Sequence, residues 1–360
     1  MNKLNKYRLS ATILTLSFII FSIYIVFDAS NIWAGYKYND QFYYLKRQVI
    51  YAILAIAALF IGIKIDIKKY KKLFIPSLII CNILLILVLI PGIGIVKGGS
   101  SSWLGFNSLS FQPSELYKIV LIVFVSDFLA NHFYQSQSLK TFLPLLMVMI
   151  IGGVLIMLQP DFGTLVVTFG AVIIIFFLSK LPLKYFAIGG GIVGVLVVAM
   201  IVVEPYRLQR IVSFIDPFSD PLGAGFQIIQ SMFALGPGGL IGEGVNSSVQ
   251  KYYYLPEPQT DFIFSIIVEE LGFIGGVIII IAYFLLFYNL YKIAKHNHNQ
   301  FNYLLSMGLI SLIAIQVIIN LGVVTALFPV TGITLPFLSY GGSSLISLSL
   351  ACGIVIGGKK

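Results

Sequence analysis

The chain has 360 residues, of which 58% are apolar and only 10% charged, where a soluble domain carries roughly 25% charged residues. So much apolar surface exceeds what a single water-soluble core of this length buries, and lipid is its natural solvent. The net charge of +9 sits in short clusters between apolar runs, with no basic stripe interleaved with aromatics, which argues against a nucleic-acid partner.

A membrane helix needs about 20 mainly apolar residues. Ten segments qualify, at 10–27, 48–63, 73–90, 114–130, 142–158, 164–179, 185–203, 262–290, 303–326 and 336–357. The expected fold is therefore an all-α polytopic membrane protein with about ten transmembrane helices. One domain covers 1–360, with no internal repeat and no soluble module. The N-terminal run lacks a small-residue cleavage site before Asp28 and reads as a first helix, not a signal peptide. Lys and Arg in alternate connectors number fifteen on one side and seven on the other, with Lys118 inside a helix. The positive-inside rule then puts both termini in the cytoplasm. The connectors 91–113, 159–163, 204–261 and 327–335 become external, and the large loop lies between helices 7 and 8. Within it, Phe226, Ile228, Ile229, Met232 and Phe233 suggest a short amphipathic helix ended by Gly236-Pro237-Gly238-Gly239.

Cys81 and Cys352 lie in apolar runs without metal-ligand spacing and read as small hydrophobes. His132, His296 and His298 fall in polar connectors and read as solvated.

Ionisable groups in a membrane are costly, so they occur where they are paired or used. In Ser110-Phe111-Gln112-Pro113-Ser114-Glu115-Leu116-Tyr117-Lys118, Pro113 suits a helix start and Gln112 or Ser114 can cap it. Glu115 and Lys118 share a helical face. They are either an internal ion pair that permits burial or a cation held ready for an anionic substrate group. Asp161, in Gln159-Pro160-Asp161-Phe162-Gly163-Thr164, can cap the next helix. Arg207 and Arg210 present two guanidinium forks suited to pyrophosphate, or else form a solvated basic turn.

Pro256 and Pro258 deny a helix until Thr260, so Thr260 or Asp261 should begin the long apolar helix that follows. A carboxylate at that boundary is partly desolvated, the setting of a poised general base. Glu269 and Glu270, two turns further on, need partners or protons and read as packing near the site. The small and hydroxyl residues after Pro336, including Ser339 and Ser343, serve close helix packing or form a polar cavity wall.

Four blocks, at 111–118 (FQPSELYK), 159–164 (QPDFGT), 252–272 (YYYLPEPQTDFIFSIIVEELG) and 329–344 (PVTGITLPFLSYGGSS), together resemble the SEDS family, that of FtsW, RodA and SpoVE. The resemblance covers nearly the whole chain. The TGITLPF wording and the run 207–230 leading into QKYYYLPEP look closer to the FtsW and SpoVE branch. It implies a peptidoglycan glycosyltransferase that polymerises lipid II into β-1,4-linked glycan and releases undecaprenyl pyrophosphate in the bacterial cytoplasmic membrane. It puts the essential aspartate on Asp261. Lys118, Glu115, Arg207, Arg210, Gln112, Asp161, Ser339 and Ser343 are the candidate substrate and pyrophosphate contacts. A class B penicillin-binding protein, the transpeptidase, is the implied partner, with other division or elongation machinery. No carboxylate set demands a metal, although a divalent cation such as magnesium or manganese can assist. One departure stands out. Many relatives carry a basic pair before the Trp of the first large external loop, whereas this chain reads Gly99-Ser100-Ser101-Ser102-Trp103 with only Lys97 nearby. Transport is the competing class: a lipid II flippase would line a route through the membrane with polar groups, and Glu269 and Glu270 are the residues that favour it. A purely scaffolding division protein is the third class.

Overall fold

The computed structural model describes residues 3–97, 99–106, 109–132, 139–182, 185–186, 190, 213–223, 225–252 and 254–358. Its helices are α1 (Lys3–Tyr38), α2 (Tyr43–Lys64), α3 (Ile67–Leu89), α4 (Pro113–His132), α5 (Leu139–Leu158), α6 (Phe162–Leu178), α7 (Phe226–Leu235), α8 (Ile263–Lys295), α9 (Gln300–Val324) and α10 (Gly342–Gly357). Six of these, α1, α2, α3, α5, α8 and α9, are long and apolar enough to cross a membrane. This is a multi-pass membrane protein. Helix α4 is 20 residues long but carries Glu115, Lys118 and Asp127, and α6 and α10 are shorter apolar helices. Most of the expected seventh segment, 185–203, lies outside the described residues.

Helix α9 is the axis of the bundle. Its apolar window is 72% buried, against 17–39% for the other five long helices, and it packs on α4, α6, α8 and α10. Helices α2 and α10 lie side by side. A Cβ on Gly62 would stand 2.7 Å from Leu350 O, and one on Gly353 would strike Leu59 O. The missing side chains let the two backbones approach, as small residues do between membrane helices. Arg8 Nη2 donates to Gly358 O at 3.3 Å, so the start of α1 and the end of α10 share one face of the bundle.

Three expected boundaries move. Helix α1 continues to Tyr38 rather than ending near Phe27, because Asp28 is buried in an ion pair with Lys251 instead of meeting solvent. Helix α10 begins at Gly342, not Pro336: residues 336–341 form turns in which Leu338 and Ser339 both donate to Leu335 O. Helix α8 begins at Ile263 with Phe262 at the cap position, so Asp261 stands just outside the helix it was expected to start.

Helix α8 is also broken. Gly272 has φ 70° and ψ −174°, a conformation that glycine alone adopts readily. The connector 238–244 fills the break. Glu243 and Gly244 donate to the carbonyls of Glu269 and Glu270, and Phe273 and Ile274 donate to Gly239 O and Leu240 O. Backbone groups freed by the break are thus satisfied, as an apolar setting demands. Residues 273–295 alone span about 34 Å at 1.5 Å per residue, enough for a hydrocarbon core of about 30 Å. Phe273, Ile274, Ile278, Ile281 and Phe284 present exposed apolar side chains along this part, whereas 263–270 are all buried.

The connector 91–113 holds an antiparallel sheet that composition gave no reason to expect. Its strands are β1 (Ile95–Lys97), β2 (Ser100–Phe106) and β3 (Leu109–Phe111), in the order β1-β2-β3. Lys97 pairs with Ser100 and Phe106 with Leu109. Helix α7 is the expected amphipathic helix, folded into the protein: Ile228, Ile229 and Ala234 are buried, and Ser231 Oγ lies 2.9 Å from Ser265 Oγ and donates to Val324 O at 2.8 Å. Cys81 and Cys352 are buried free thiols, and His296 and His298 are exposed, as read from the sequence.

Candidate functional site

The four sequence blocks meet at the end of the bundle away from the two termini. At the start of α4, Gln112 N–H donates to Ser343 Oγ at 2.9 Å. Its side-chain amide donates to Asp161 Oδ2 at 2.8 Å. Asp161 Oδ1 accepts from Thr164 N–H at 3.0 Å, which is the cap expected at the start of α6. Burial pushes the Asp161 carboxyl above the ordinary carboxylate range, opposed mainly by that N–H. Gly163 presses against the segment after α9, where a Cβ would sit 2.7 Å from Ile333 Cγ1 and 2.8 Å from Thr331 O.

One turn into α4, Lys118 Nζ donates to Glu115 Oε1 at 2.9 Å and to Gln316 Oε1 on α9 at 3.3 Å. Ser347 Oγ on α10 donates to Glu115 Oε2 at 3.0 Å. Lys118 is 2% exposed and Glu115 5%, so the pair is an internal one. An ammonium has three donors, and two of them are engaged here. Gln316 Nε2 in turn donates to Thr334 O at 3.1 Å and to Ser344 Oγ at 3.2 Å.

Asn320 stands one turn along from Gln316 on the same face of α9, about 6 Å along the axis. Its amide donates at 2.7 Å to two carbonyls, those of Asp261 and Ile333. It therefore ties the backbone of the Asp261 turn to the 329–335 segment. The Asp261 carboxylate faces Gly332, lying 3.8 Å from where a Cβ would stand there. Tyr340 N–H donates to Gln259 O at 2.8 Å and closes the same wall from the α10 side. Asp261 remains partly exposed.

Ser339 and Ser343 are buried and hold the wall together: Ser339 Oγ accepts from Leu335 N–H at 2.8 Å and Ser343 Oγ from Gln112 N–H. Arg207 and Arg210 lie outside the described residues. Gln316 and Asn320 are not marked in the sequence, because single amides inside an apolar run carry no spacing signal. Arg47, which falls in a connector by hydropathy, stands in the first turns of α2. It stacks on Tyr43, its guanidinium carbon 3.5 Å from the ring centre.

Several polar atoms in this wall are buried without a protein hydrogen-bond partner: Gln259 Oε1, Asn320 Oδ1, Thr331 Oγ1 and Ser114 Oγ. Such groups carry a desolvation cost that a polar ligand or water would relieve. Among the described residues, no three His, Cys, Asp or Glu side chains gather as metal ligands. A cleft of about 400 Å³ between α7 and the connector that follows it is bounded by Met232, Phe233, Gly236, Val249, Gln250 and Glu269, not by Asp261.

Asn320 thus holds the backbone of the partly open Asp261 turn and Gln316 holds Lys118, and both amides also fasten the 333–334 segment, through Ile333 O and Thr334 O. Comparison with known proteins gives the family of the chain. A family model described as a cell cycle protein, for FtsW, RodA and SpoVE, matches residues 8–358. The stage V sporulation protein E of Bacillus subtilis is 44% identical over 347 residues, 96% of this chain and 94% of that protein. A probable peptidoglycan glycosyltransferase FtsW of Trichlorobacter lovleyi is 40% identical over 356 residues, 98% of this chain and 93% of that protein. A chain from a peptidoglycan synthase complex that coordinates polymerization and crosslinking superposes with a TM-score of 0.77 at 29% identity, covering 96% of this chain and 95% of that one. The rod shape determining protein RodA of Thermus thermophilus superposes with a TM-score of 0.70 at 25% identity, covering 96% and 94%. The identities to SpoVE and FtsW thus exceed that to RodA, and this chain belongs to the FtsW/RodA/SpoVE family.

Proposed function

We propose that the protein is a peptidoglycan glycosyltransferase that polymerises lipid II into β-1,4-linked glycan strands, with Asp261 as general base. The observation that carries this reading is the placing of Asp261. Its carboxylate lies beside Gly332 at a partly open turn, and its backbone is held by Asn320 one turn from Gln316, the partner of Lys118. Family membership and the names of the SpoVE and FtsW relatives support the reaction class.

In this mechanism the 4-hydroxyl of the acceptor sugar gives its proton to Asp261. Its oxygen attacks the anomeric carbon of the growing chain. The bond from that carbon to the pyrophosphate oxygen breaks, and undecaprenyl pyrophosphate leaves with the electron pair. A single displacement converts an α-linked donor to a β bond. General-base help of this kind contributes about 10²–10⁴-fold. Arg207 and Arg210 receive the diphosphate charge, and Lys118, buried against Glu115 and Gln316, adds positive potential from behind the wall. Gln112, Asp161, Ser339 and Ser343 build the wall against which the substrate lies. The charge asymmetry of the connectors puts both termini in the cytoplasm and this end of the bundle outside, with ten spans in all and the large loop between the seventh and eighth. The partner is a class B penicillin-binding protein, consistent with the complex in which the structural neighbour occurs.

The flippase alternative rested on Glu269 and Glu270 lying mid-membrane. Both precede the break at Gly272, and 273–295 is long enough to cross the membrane without them. The deciding experiment incubates purified protein and its transpeptidase with lipid II. D261N should insert and fold like the parent yet lose about 10²–10⁴-fold in glycan formation. Full activity in D261N would refute the assignment.

A further inference from the structure

Away from the wall just described, a second set of charges is buried with an arrangement that stability alone does not explain. Lys251 has no exposed side-chain surface and donates to Asp28 on α1 at 3.0 Å, to Glu270 on α8 at 2.7 Å and to Asn246 Oδ1 at 2.9 Å. All three donors of its ammonium are therefore matched. The neighbouring carboxylate of Glu269 accepts from Ser248 Oγ at 2.6 Å, Val249 N at 2.8 Å and Gln250 N at 3.2 Å. Glu270 also accepts from Ser248 N at 3.3 Å. Three carboxylates and one ammonium thus share a buried cluster. Well-packed apolar residues in place of such a cluster are often as stable or more so, because desolvation offsets the attraction.

What the cluster does supply is geometry. The Lys251–Glu270 pair joins two points 19 residues apart, and Asp261 stands ten residues after one and nine before the other. Both legs of this loop are fixed at the base. On one leg, Leu255 is buried and its N–H donates to Gln250 O at 3.0 Å. The other leg is the first segment of α8, 263–271, buried along nearly its whole length. Asp28 fastens the base to α1, an element that otherwise has no covalent closeness to the loop. We propose that Asp28, Lys251 and Glu270 form a strap of positioning residues that sets the Asp261 loop against α1 and so holds the carboxylate at its working distance. This rests on the reading of Asp261 as the base. A misplacement of about 1 Å at a reacting group can cost on the order of 10²-fold in rate.

The test uses the full-length protein with its transpeptidase and lipid II. The variants are K251M and D28N/K251M/E270Q, which removes the three charges of the strap together and leaves Glu269 with its hydrogen bonds from Ser248, Val249 and Gln250. Each is also made with T260C, spin-labelled beside Asp261; the native Cys81 and Cys352 are buried. Thermal unfolding in detergent checks folding. The strap predicts that the triple variant folds, that its label gains mobility, and that kcat falls about 10- to 100-fold while KM stays within about twofold. D28N alone, which keeps the Lys251–Glu270 pair, should show a smaller loss and serves if the triple variant fails to fold. A triple variant with parental kcat and an immobile label overturns the strap, as does a change confined to KM. A mobile label with parental kcat supports the strap and instead refutes Asp261 as the base.

Discussion

Asp161 shows how one side chain can serve both fold and site. It caps α6 through Thr164 and receives the Gln112 amide, and burial raises its carboxyl above the usual range. A carboxylate whose folded-state pKa is raised costs stability once it ionises, and regains it as pH falls through the raised value. D161N keeps a competent cap and cannot ionise, and Gln112 can turn its amide to match. D161N should therefore unfold at or above the parental temperature at neutral pH, the difference vanishing in acid. D161A should lose about 1 kcal/mol with the cap. Equal destabilisation by the two would show that neither capping nor desolvation governs this position. At this scale the sequence was readable where polar residues came in contiguous blocks. Asp161, Glu115 with Lys118, and Asp261 each stood in a short polar run at the end of an apolar one. Gln316 and Asn320 were not readable, since their importance comes from which helix ends they face.

Among the elements, α8 departs furthest from its sequence pattern. Its 33 residues look like one long apolar helix with two glutamates two turns in, and nothing in EELGFIGG announces that Gly272 leaves helical geometry. The break follows from what docks there: connector 238–244 supplies the hydrogen bonds that the interrupted helix lacks. A Cβ at 272 would stand 2.5 Å from Leu240 O at a φ that side chains rarely adopt. G272A should therefore cost more than about 1 kcal/mol and release the connector, seen as a lowered unfolding temperature and faster proteolysis within 238–244. Parental behaviour in both assays would mean that the break does not depend on glycine. The sheet β1-β2-β3 was equally hidden. Its strands are short, and Ser100-Ser101-Ser102 reads as loop until the pairing of 97 with 100 and 106 with 109 is seen.

For the whole molecule, α1 and α10 bring their terminal ends to one face through Arg8 and Gly358, and the candidate site lies at the other end of the bundle. On the proposed topology, the excess of Lys and Arg in alternate connectors puts the terminal face in the cytoplasm. A reporter fused after Gly358 should be active only in its cytoplasmic form, and a cysteine at Thr260 should react with a membrane-impermeant reagent added from outside. Labelling from the cytoplasmic side alone would invert the topology and with it the proposal of external glycan synthesis.

The sequence by itself determined that the chain lives in lipid, roughly where its helices run and which four blocks carry polar chemistry, because hydropathy and short-range spacing are local properties. The break in α8, the Asp28–Lys251–Glu270 cluster and the amides of Gln316 and Asn320, one on Lys118 and the other on the Asp261 turn, were decided only by tertiary structure. Each joins groups from distant parts of the chain, and in a medium with no water to satisfy them, a buried charge or carbonyl takes whichever partner the packing of helices delivers.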